Sequence, residues 1–107
     1  MLYRFRSPAG ADVVMLGDTG ATLLELLGRE PGAQGLFKAG ELPALIARLE
    51  AAVADDETRF QQSVEAARAA GEPAPKRSGI SLRQRAWPLR ELLQHSQREQ
   101  VDVVWGV

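Results

Sequence analysis

Residues 2–6 alternate in character, with Tyr3 and Phe5 on one side and Arg4 and Arg6 on the other. A period of two predicts a strand with one buried face. Ser7-Pro8-Ala9-Gly10 is turn chemistry, and Val13-Val14-Met15-Leu16 reads as a second, nearly all-apolar strand. Together they predict an antiparallel hairpin over 2–16. Gly17-Asp18-Thr19-Gly20 interrupts the strand and offers Asp18 or Thr19 as a helix cap. Leu23, Leu24 and Leu27 follow at helical spacing, and Gly28 stands where a glycine ends a helix, so a short helix is expected over 19–28. Pro31, Gly32, Gly35 and Gly40 make 29–40 a loop, in which Leu36 and Phe37 are expected to act as local anchors.

A longer apolar stripe begins beyond the loop. Leu42, Leu45, Ile46, Leu49 and Val53 share one helical face, and at 100° per residue Phe60, Val64 and Ala67 continue it across the acids Asp55, Asp56 and Glu57. The preserved phase favours one helix over 41–70 rather than a break near Asp55, with Pro43 in its first turn where a missing N–H is harmless. Such a helix is about 45 Å long, whereas a domain of this size has a radius of gyration near 13 Å. Its far end must therefore project, pack on another helix, or pair with a second copy of the chain. Residues 71–80 hold two prolines and two glycines and read as a linker.

Ser81 and Gln84 have capping-box spacing, and Leu82, Ala86, Leu89 and Leu93 share a face of a helix over 82–99. Pro88 lies too deep for the first turn and predicts a kink or a restart there. The chain closes with a strand over 101–106, in which Val101, Val103, Trp105 and Val107 share a face and the N-terminal hairpin is the expected neighbour. The fold class is α+β: one domain over 1–107, in two layers, with a three-stranded, mostly antiparallel sheet in the order β-β-α-α-α-β covered by helices.

At 107 residues, with 45% hydrophobic and 25% charged residues, the composition is that of a globular domain. A net charge of -1 provides no global field for nucleic acid or an anionic membrane. The absence of cysteine removes disulfides and thiolate sites, and no apolar run is long enough to span a bilayer. The expected location is the cytoplasm.

Four blocks resemble those of a small, uncharacterised bacterial family, domain of unknown function family 1840. They are Leu2-Tyr3-Arg4-Phe5, the segment from Asp12 to Gly17, the segment from Ser81 to Leu89 with its Arg-Ala-Trp-Pro-Leu core, and Val103-Val104-Trp105-Gly106-Val107. The resemblance implies a stand-alone bacterial protein of this size and carries no known activity, so no residue role follows from it.

Candidate chemistry is sparse. Asp18-Thr19-Gly20 matches the aspartic-protease turn, but that chemistry needs two aspartates sharing a proton in an almost all-β fold. A helix cap fits the leucine-rich sequence downstream better. A hydrolase using Asp18 remains a remote alternative. His95, the single histidine, falls on the polar side of its helix, and Asp55-Asp56-Glu57 lacks the spacing of a cation loop. No phosphate-loop or dinucleotide motif occurs. No catalytic residue, metal site or cofactor is therefore expected.

Lys76, Arg77, Arg83, Arg85 and Arg90 fall within fifteen residues that contain no acid. Helical spacing sets Trp87 beside Arg83 and Arg90, but a tryptophan usually serves the core, and if Pro88 re-aims the helix Trp87 is expected to turn inward against Phe37 or the linker. Either these cations meet the acids of the long helix, or Arg83, Arg85, Trp87 and Arg90 form a binding surface, since tryptophan and arginine are enriched in hot spots. The leading expectation is a non-catalytic binding or interaction domain. Its partner would be itself, as a homodimer through the long helix, or an acidic protein. The alternative is small-anion or metabolite binding by Arg83 and Arg90, and nucleic acid is disfavoured.

Overall fold

The computed structural model describes residues 2–77 and 79–106. Val107, expected on the inner face of the last strand, lies outside the described residues, as do Met1 and the linker's Ser78. The chain runs β1 (Leu2–Ser7), β2 (Gly10–Leu16), α1 (Gly17–Leu26), β3 (Gly35–Phe37), a 3-10 turn (Ala39–Glu41), α2 (Leu42–Ala69), α3 (Leu82–Glu99) and β4 (Val103–Trp105). The class is α+β with an antiparallel sheet, but the sheet has four strands rather than three, in the order β2-β1-β4-β3.

The extra strand arises in the segment expected to be loop. Phe37 is fully buried, and Leu36 points to the opposite, exposed face instead of tucking back. Gly35, which reads as a breaker in the sequence, pairs with Trp105, and a Cβ there would lie 2.1 Å from the indole ring. The strand forms because β4 supplies a partner for it, and its glycine leaves room for the ring.

α1 also begins differently. It leaves β2 directly at Gly17, its N-cap is Leu16, and no side chain caps it. Asp18 and Thr19 therefore lie inside the first turn rather than at the cap. The Asp18 carboxylate is favourably placed near the positive end of the helix, while the Asp18 carbonyl accepts from the Thr22 hydroxyl at 2.9 Å. The C-terminus follows the Schellman pattern, with the Gly28 N–H donating to Glu25 and the Arg29 N–H to Leu24.

α2 runs without a break for 28 residues. Leu42, Leu45, Ile46, Leu49 and Val53 are buried, while Phe60, Val64 and Ala67 keep the phase but are only half-buried. α3 is a single helix through Pro88, entered by the Ser81–Gln84 capping box with both of its reciprocal bonds. Ala86, Leu89, Leu92 and Leu93 join Tyr3, Phe5, Phe37, Val103 and Trp105 in one core between the helices and the inner face of the sheet. The other sheet face is open, and Leu2, Val14, Leu16 and Leu36 are exposed there.

Candidate functional site

The site is built on the seam between α2 and α3. Arg83, Trp87 and Arg90 stand four before and three after one another on α3, so their side chains share an edge of that helix. Across the seam α2 presents Glu50 and Glu57, seven residues or two turns apart on one side. Arg83 Nε lies 2.6 Å from Glu57 Oε1, and Arg90 Nη2 lies 3.2 Å from Glu50 Oε2. Both guanidinium groups also contact the indole of Trp87, with Arg90 at 4.2 Å and Arg83 at 5.7 Å from the ring centroid. Cations at these positions are attracted by the ring's negative face.

The result is a tryptophan held at the surface. Trp87 is 39% exposed and, contrary to the expected burial, does not enter the core, because α3 continues through Pro88 and keeps the ring on the Arg83–Arg90 edge. One open recess of about 530 Å³ lies between Gln84, Trp87, Pro88 and Glu91. A second, of about 300 Å³, runs on the α2 side past Val53, Glu57 and Arg90. Pro88 shapes the first. Lacking an N–H, it cannot close the turn to the Gln84 carbonyl. The Arg90 Nε, at the base of the second, is buried and finds no acceptor among the described residues.

Other residues singled out from the sequence fall elsewhere. Arg85 lies on the opposite edge of α3, lining a groove with Thr22, Asp56 and Ile80, and makes no ion pair with any described residue. Arg77 returns along α2, 3.1 Å from Asp56 and 4.4 Å above the Phe60 ring. The cations therefore do meet the acids of the long helix, at three places. His95 is exposed. Asp18 is exposed on α1, where Gly20 of the Asp-Thr-Gly motif has a packing role: a Cβ there would come within 2.3 Å of the Tyr3 ring. No cluster of three or more acids or histidines suited to a metal ion occurs among the described residues, and none of their helices is long and apolar enough to cross a membrane.

Sequence reasoning missed Gln84, Pro88 and Glu91 as the frame of the recess, although Pro88 inside a helical pattern was the available signal. A family model described as Domain of unknown function (DUF1840) matches residues 1–105. No curated protein and no solved structure matches the chain.

Proposed function

The chain belongs to the DUF1840 family, and from that premise we propose that it is a non-catalytic binding domain that meets a protein partner through the Arg83–Trp87–Arg90 edge of α3. The observation that carries this reading is a half-exposed tryptophan held between two arginines whose charges are already matched. Truncation of such side chains is what dominates binding energy in protein interfaces. Because Glu57 and Glu50 answer Arg83 and Arg90, the edge offers an apolar ring with a neutralised rim. That favours a protein surface over a free anion, which would first have to displace both carboxylates. It also gives an acidic protein little advantage over a neutral one.

Self-association along α2 has weaker support. Phe60, the largest side chain on the distal stripe, already carries Arg77 of the same chain on its ring. The reading is tested by placing a photo-crosslinking residue at Glu91, on the exposed rim of the recess, in living cells. A discrete cross-linked protein that disappears when Trp87→Ala is added is expected. No adduct, or one indifferent to Trp87, would contradict it.

A further inference from the structure

Gln84, Trp87, Pro88 and Glu91 recur at helical spacing, so they share one stripe of α3 over successive turns. With Arg83 they line the open recess of about 530 Å³. Its walls are mostly apolar, formed by the half-exposed indole and the Pro88 ring. The two arginines of this edge already have their carboxylates, in Glu57 and Glu50. Glu91 does not have a cation. It is exposed, and its carboxylate makes no ion pair or hydrogen bond with any described residue. The Trp87 indole N–H likewise donates to no described residue. The edge therefore keeps one uncompensated charge, and that charge is negative.

We propose that this recess takes a lysine or arginine side chain of the partner protein, its aliphatic stem along Trp87 and Pro88 and its charged tip at Glu91. The assignment rests on Trp87 being a protein contact and names what the partner brings to it. Lysine and arginine carry an apolar stem beneath a charged head, which is the order of surfaces that the recess presents. Charge decides between the classes of residue. An acidic side chain would meet Glu91 with like charge. An apolar one would match the walls but strip water from the Glu91 carboxylate without replacing it, which costs free energy. A cationic one compensates the carboxylate. The main-chain carbonyl of the same residue offers an acceptor to the Trp87 N–H, which a free amine does not. The arginines concentrated in this stretch of sequence suggest an acidic partner. With Glu50 and Glu57 already on Arg90 and Arg83, the complementary partner is basic.

NMR titration of the full chain, followed on the indole N–H signals of Trp87 and Trp105, tests it. The probes are the Nα-acetyl N-methylamides of lysine, of arginine and of norleucine, the last an uncharged match for the lysine stem. A cationic probe is expected to move the Trp87 signal with a low-millimolar Kd and to leave the signal of the buried Trp105 in place. Norleucine should bind about fivefold more weakly, the worth of one exposed ion pair. Glu91→Gln keeps the side chain's shape on an exposed position, so an unchanged Trp105 signal should report an intact fold, and the preference for a cation should vanish. Norleucine binding as tightly as both cations would overturn the cationic occupant and leave the Trp87 edge standing. So would a Glu91→Gln variant that retains the preference. A Trp87 signal that no probe moves would overturn it too, and the cross-link in cells then judges the edge by itself. The ring and Pro88 remain when Glu91 is replaced by the cross-linker, so that capture is weakened rather than lost.

Discussion

Gly106 follows the closing strand and lies against the backbone of Ala33 and Gln34. Its φ is +73, and a Cβ would stand 1.8 Å from the Ala33 carbonyl oxygen. Both the backbone conformation and the space exclude a side chain. Gly106→Ala is expected to destabilise the protein by about 2–3 kcal/mol, read as a lower urea midpoint. Little of this is legible in sequence, because Ala33 lies 73 positions earlier and only the folded sheet brings it near. The same holds for Gly20, whose Tyr3 neighbour turns an apparent protease motif into a packing contact. Helical spacing joins Trp87 to Arg83 and Arg90, but the sequence also groups Arg85 with them and turns Trp87 inward, whereas Arg85 lines a separate groove and Trp87 is exposed. Which acid each arginine meets was not legible, because that depends on the offset between two helices.

Among the elements, the long helix is the one the apolar pattern defines best. Its stripe keeps phase for 28 residues, and burial fades only where no core lies beneath it. The three-residue β3 shows the opposite case: its sequence carries no strand signal, and pairing with β4 alone makes it a strand. α3 shows how local and tertiary terms combine. Pro88 removes a helical bond, a loss of roughly 3 kcal/mol in an isolated helix, but the helix continues through it, with the capping box before it and Ala86, Leu89 and Leu93 buried on either side. Its far end stops at Gln100 in the left-handed region, φ 56, with the Val101 N–H bonded to Ser96 in Schellman fashion. Glycine suits that position better than a side chain does. Gln100→Gly should raise stability by about 0.5–1 kcal/mol, seen as a higher melting temperature of the monomer.

At the scale of the whole molecule the chain measures 51 × 28 × 22 Å, with a radius of gyration of 15.9 Å against the roughly 13 Å of a compact domain. The length of α2, whose far end the sequence left free to project, to pack or to pair, accounts for that shape. The four-stranded sheet separates two surfaces: an open face on which Leu2, Val14, Leu16 and Leu36 are exposed, and a helix side whose α3 edge presents Trp87. This division gives the two tryptophans different roles. Trp105 is 3% exposed, packs against Phe5 and Phe37, and donates to the Gly32 carbonyl at 3.3 Å. Trp87 touches arginines and solvent. The contrast is measured most directly by urea unfolding of Trp87→Ala beside Trp105→Ala, at a concentration where the protein is monomeric. Trp105→Ala should lose about 3–5 kcal/mol, as a core tryptophan does, and Trp87→Ala only about 1 kcal/mol. Equal losses from the two would make Trp87 part of the core and would contradict the proposal that it is a contact for a partner.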